Sequence, residues 1–92
     1  MINEITEEYK IEGASVSEAM QRVALCSMAK YAGDSSREGR LLGRTYELGG
    51  ARLELNWDVN ASPAAIKGSA EQVEEARKFL TNILELKLVP IG

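Results

Sequence analysis

An α+β fold follows from three features of the sequence: a strictly alternating segment divided by Gly49-Gly50, and two serine-capped amphipathic segments, one on each side of it. Together they predict a two-layer sandwich, in which a mostly antiparallel three- to four-stranded sheet carries two helices on one face in the order β-α-β-β-β-α. If the C-terminal tail supplies the last strand instead, the order becomes ferredoxin-like, β-α-β-β-α-β. The chain has 92 residues, enough for one domain over 1–92 but not for two cores.

The hairpin carries the strongest signal. After Gly49-Gly50 the apolar residues Ala51, Leu53, Leu55, Trp57 and Val59 alternate with Arg52, Glu54, Asn56 and Asp58, the period of a half-buried strand. Two glycines suit a two-residue type I′ turn, which needs positive φ at both positions. That turn forces the register: Leu48 opposite Ala51, Tyr46 opposite Leu53, Arg44 opposite Leu55 and Leu42 opposite Trp57, all on the apolar face. Arg44 therefore has to snorkel out at the sheet edge along Trp57 or find an acidic partner.

The remaining elements follow in chain order. Ile5, Tyr9 and Ile11 occupy alternate positions and predict a first strand ending at Gly13. Ser15-Val16-Ser17-Glu18 is a capping-box pattern, which predicts a helix from there to about Ala32 with Gly33 as its C-cap. Its first half is amphipathic, whereas 23–29 (VALCSMA) contains one polar residue and predicts a helix apolar on more than one side. Residues 33–40 (GDSSREGR) read as a loop, and Asn60–Pro63 as a turn before a third antiparallel strand at Ala64–Ile66. Ser69-Ala70-Glu71-Gln72 caps a second helix whose inward stripe is Val73, Ala76, Leu80, Ile83 and Leu84. The tail at 86–91 is a short edge strand or a docked extension, since Pro90 is tolerated only at an edge.

Composition narrows the function. Net charge is −3 and there is no histidine, so the chain offers no imidazole base, no serine or cysteine triad with histidine and no histidine metal site. Cys26, the single cysteine, lies in the apolar part of the expected helix and reads as a buried structural thiol. No phosphate-binding glycine motif is present. The residues therefore predict a non-enzymatic protein without cofactor or metal. Met1 is followed by Glu4, Glu7 and Glu8 rather than a basic leader, and no apolar run approaches the roughly 20 residues that cross a bilayer. A cytoplasmic location is the expectation.

Two sets of residues are candidates for contact. Ala24, Leu25, Cys26, Met28 and Ala29 form an apolar excess beyond what one sheet covers, which predicts self-association as a homodimer. Arg37, Arg40, Arg44 and Arg52 fall within sixteen residues of an otherwise acidic chain and, with Trp57, form a candidate site for a partner or an anion. The order helix, three strands, helix over 16–85 is similar to double-stranded RNA-binding domains. Where that family opens its second helix with lysines, this chain has Ala70, Glu71 and Gln72, then Glu74 and Glu75. AIKGSAEQVEEARKFL resembles the closing strand and helix of KH domains, without their GxxG loop. The expected function is a small homodimeric regulator or inhibitor that occludes a partner protein, similar in size and character to phage- or plasmid-encoded inhibitors. The alternative is a module that binds nucleic acid or a small anionic ligand through 37–52.

Overall fold

The computed structural model describes residues 3–58 and 60–91, so the predicted place of Val59 in the alternation lies outside the described residues. Eight elements follow one another: β1 (Ile5–Glu12), α1 (Val16–Ala24), β2 (Ala29–Arg37), β3 (Arg40–Leu48), β4 (Ala51–Asn56), β5 (Ala64–Gly68), α2 (Ala70–Asn82) and β6 (Lys87–Pro90). The strands form one six-stranded sheet in the order β2-β3-β4-β5-β1-β6. Every pairing is antiparallel. The class is α+β as predicted, but the sheet is larger than three to four strands. The tail supplies the last strand, beside β1, as in the ferredoxin-like alternative, but the full order is β-α-β-β-β-β-α-β, with two strands more than that alternative has.

The central hairpin has the register its turn demands, with Leu48 opposite Ala51, Tyr46 opposite Leu53 and Arg44 opposite Leu55. Gly49 and Gly50 both take positive φ, 58° and 86°. β5 then pairs with β4 and β1, placing Ile66 beside Leu53 and Ala64 beside both Leu55 and Tyr9. These side chains point to one face. Both helices cover that face: Val23 of α1 and Val73 and Leu80 of α2 belong to the same buried cluster as Tyr9, Leu53, Leu55 and Ile66. The opposite face presents Glu8, Arg52, Glu54 and Lys67, so the sheet is amphipathic in the usual antiparallel manner.

The two extra strands lie at the edges. β6 pairs with β1 from Tyr9↔Pro90 to Glu12↔Lys87, so the tail is a strand and Pro90 sits on an edge. β2 replaces the expected second half of the first helix. Ser15 caps α1 by accepting from the Glu18 amide, but the helix ends after nine residues, with Leu25 as its C-cap. Beyond Val23 the inward stripe runs out, while Ala29 and Tyr31 at period two can pack on Leu48 and Tyr46. Pairing with β3 overrides the helical propensity of AKYA. Residues 33–40 are therefore mostly strand rather than loop. Only Glu38 and Gly39 turn, with φ of 53° and 77°, making a second hairpin.

The β2–β3 ladder contains two irregularities that cancel. Between Tyr31↔Tyr46 and Gly33↔Thr45, β2 spends two residues against one; between Ser35↔Gly43 and Ser36↔Leu41, β3 does so. Each is a bulge with one extra residue, Ala32 in the first and Leu42 in the second. Gly33, at φ 134°, supplies the backbone freedom for the first. Its consequence is a change of phase, by which Asp34 shares the helix-side face with Arg44.

α2 shows the complete capping box: Ser69 accepts from the Gln72 amide, and the Gln72 side chain accepts from the Ser69 amide. Between β1 and α2, the Tyr9 ring is buried and its hydroxyl reaches the rim of the core, where it donates to the Glu7 carboxylate. Burial, and then the Glu7 acceptor, hold the Tyr9 pKa well above the ordinary value of 10.0. Because the folded pKa lies above the unfolded one, this stabilisation is fully present below pH 10 and is lost as pH rises further. Urea titrations from pH 9 to 11 should show the wild type losing up to about 1.4 kcal/mol per pH unit above 10 relative to Tyr9→Phe, which lacks the titrating group.

Candidate functional site

The residues predicted to self-associate do not form one face of a helix. Ala24 is the last residue of α1, Leu25 its cap, Cys26 and Met28 lie in the turn that follows, and Ala29 begins β2. Leu25 is 88% exposed and Met28 66% exposed. Cys26 is half-buried rather than fully enclosed, and Ala29 packs against the core. The turn is built by backbone bonds from the Cys26 amide to Val23 O and from the Ala29 amide to Cys26 O.

α2 completes this surface. Ile83 was expected inside but is 64% exposed at the helix C-cap, because its backbone leaves the helical path before the next strand. Phe79 stands one turn earlier, half-buried. With Met28, Leu48, Gly49, Glu75 and Ala76, Phe79 lines a hollow of about 160 Å³. Leu25, Cys26, Ile83 and Leu84 line the adjoining surface. Apolar side chains of the α1–β2 turn and of the end of α2 thus line two hollows, the second rimmed by Arg22, Ser27 and Glu85.

Arg22 holds that junction together. Its guanidinium donates to the carbonyl oxygens of Leu84 and Glu85, each at 3.2 Å. Glu85 is in the left-handed region, φ 56°, so the chain reverses there and turns its carbonyls toward α1. A cation at a helix C-terminus also complements the helix dipole. Nothing in the sequence pattern joins Arg22 to partners more than sixty residues away.

The four arginines are distributed over three places. Arg37 and Arg40 face each other across the Glu38-Gly39 turn, at the tip of the β2–β3 hairpin. Arg44 lies on the helix-side face, with Nε 3.5 Å from Asp34 Oδ1 and both side chains about two-fifths exposed. Its Nε is buried without a hydrogen-bond partner. The acidic partner is thus Asp34, on the adjacent strand, rather than a group beneath the helices. Tyr31, whose ring meets Tyr46 edge-on at 6.1 Å, has its pKa raised mainly by hydrogen bonding to the Asp34 carboxylate. Arg52 points to the opposite face, between Glu47 and Lys67 in register.

Trp57 is on the helix side, its indole N–H donating to Ser17 Oγ at 2.9 Å. Tyr9, Tyr31, Tyr46 and Phe79 are on that side too. The open sheet face therefore bears none of the five aromatic residues and lacks the platform on which unpaired bases stack. Its charges are partly paired internally, as in the 2.8 Å bond from Lys67 Nζ to Glu54, which raises the Lys67 pKa.

Among the described residues no three His, Cys, Asp or Glu side chains are grouped to hold a metal ion, and no helix is long and apolar enough to cross a membrane. The sequence matches no protein-family model, and no curated protein or solved structure matches it.

The Arg22 contacts give this junction a measurable weight. Arg22→Ala should lower unfolding free energy by about 1–2 kcal/mol, the range for charge-assisted bonds that remain partly wet. Hydrogen exchange at residues 83–86 should accelerate more than in β4. Uniform loss across both regions would show that the contacts do not hold this junction in particular.

Proposed function

We propose that this chain is a non-enzymatic interaction protein: a small regulator or inhibitor of the phage or plasmid type, acting in the cytoplasm as a homodimer and occluding a partner protein. The observation that carries this reading is the patch at the α1–β2 turn, where Leu25, Met28 and Ile83 are each more than three-fifths exposed. Leucine, methionine and isoleucine exposed singly are ordinary, but Leu25 and Ile83 share one hollow and Met28 lines another with Phe79, and apolar side chains grouped in this way mark a surface that gains by being covered. The Arg22 contacts fix its two halves relative to each other, so little ordering entropy is lost on binding.

A second reading, binding of nucleic acid or a small anionic ligand, is favoured by the hairpin tip, where Arg37 and Arg40 are exposed side by side. The two readings differ in their response to salt, since contacts to phosphate weaken steeply with ionic strength whereas apolar association does not.

Leu25→Glu tests the first reading. It places a charge on the patch at a site that makes little use of the core, so the denaturation midpoint should move by no more than about 0.5 kcal/mol equivalent. In light scattering at high micromolar concentration, the wild type should have the mass of a dimer and the variant that of a monomer. A wild-type protein that is monomeric throughout this range sinks the homodimer.

A further inference from the structure

We propose that a second copy of this chain docks across the edge strand β2 about a two-fold axis, with the arginine tip of each β2–β3 hairpin lying against the apolar hollow of the other copy. The proposal rests on the self-association reading above and specifies its geometry.

Three observations support it. The first is local conflict at the tip: Arg37 sits directly opposite Arg40, an unfavourable cross-strand pair of like charges, and Glu38 adopts a positive φ that residues other than glycine rarely take. Neither arginine has an ion-pair partner among the described residues. A pairing conflict on an exposed turn is relieved when a carboxylate-bearing surface approaches. The second is that the hollow has such a rim. Glu75 lines it beside Met28 and Phe79, and among the described residues Glu75 has no ion-pair partner, whereas neighbouring Glu74 is engaged by Lys78. The tip also carries an apolar side chain, the exposed Leu41.

The third is placement. The tip lies at the Arg40 end of β3 and the hollow at its Leu48 end, separated by a nine-residue strand of roughly 27–30 Å. A hairpin cannot reach its own hollow. β2 is the outermost strand, however, and an antiparallel neighbour centred near Gly33 brings each Arg37 beside the other copy's Met28 and Ala29. Both contacts form at once and the assembly closes as a dimer. The bulges in the hairpin discourage a continuous backbone ladder along this edge, so the side chains at the two ends carry the contact.

Sedimentation velocity over a concentration series tests the arrangement. Arg37→Glu with Arg40→Glu should weaken the dimer about tenfold or more, Glu75→Lys should do the same, and the three together should restore it to within about threefold, as expected of charges that meet across an interface. All of these residues are exposed, and unchanged circular dichroism melts should confirm that each variant folds. A dimer indifferent to every substitution overturns the docking while leaving self-association intact. A wild-type monomer at all concentrations overturns both. If the tip variants keep the dimer but abolish binding to a short DNA duplex at low salt, the tip is an arm for nucleic acid and the docking is wrong.

Discussion

Coverage is the constraint from which the rest of this structure follows. Six strands span about 24 Å across the sheet, and two helices, each about 10 Å wide, cover roughly 20 Å of it. The helices are also short: α1 at nine residues is only about 14 Å long, and α2 at thirteen about 20 Å. The core accordingly draws its sheet residues from β1, β3, β4 and β5, with α2 over β1, β4 and β5 and α1 over β4 and the start of the β2–β3 hairpin, while the tip of that hairpin is exposed. Leu25, Met28 and Ile83 gather where the helical layer ends. The candidate surfaces sit at the margins of a core that two short helices do not extend far enough to close.

The central hairpin was legible because several local signals agreed. Period-two alternation, a Gly-Gly turn and the volume of Leu48, Tyr46, Leu53 and Leu55 all specify the same register. A one-residue slip would turn each of those side chains to water. The Ser69 box was legible for a similar reason, since cap and amphipathic stripe begin together. The end of α1 was not. Ala29–Ala32 is compatible with a helix by composition and becomes a strand only because β3 offers a partner across the Glu38-Gly39 turn, and Glu-Gly between polar residues is a weak hairpin signal beside Asn-Gly or Asp-Gly.

The candidate site was legible in part. Leu25 and Met28 were recognisable as surplus apolar surface, but the contribution of Ile83 and Phe79 depends on where α2 ends in space. The pairing of Arg44 with Asp34 was hidden by arithmetic. Counting by twos from Tyr31 puts Asp34 on the wet face, and only the extra residue at Ala32 brings it round to Arg44. The Arg22 contacts belong to a third category, being bonds to backbone carbonyls, for which no side-chain pattern in the sequence exists.

The two cancelling bulges behave like a frameshift followed by its correction. Between them the hairpin is read one residue out of step, and outside them the original frame returns, so that Arg37 meets Arg40 on the same index sum that joins Ala29 to Leu48. Ala32 and Leu42 are the residues this ladder can lose, since each stands opposite no partner in it and its removal leaves every pair of the ladder in place, Asp34 with Arg44 and Arg37 with Arg40 included. Removal of a paired residue such as Ser35 instead leaves its opposite number unmatched and moves one strand against the other. Length variation among descendants of this sequence would accordingly be tolerated at positions 32 and 42, where it straightens the hairpin without disturbing its turn or the Asp34–Arg44 pair.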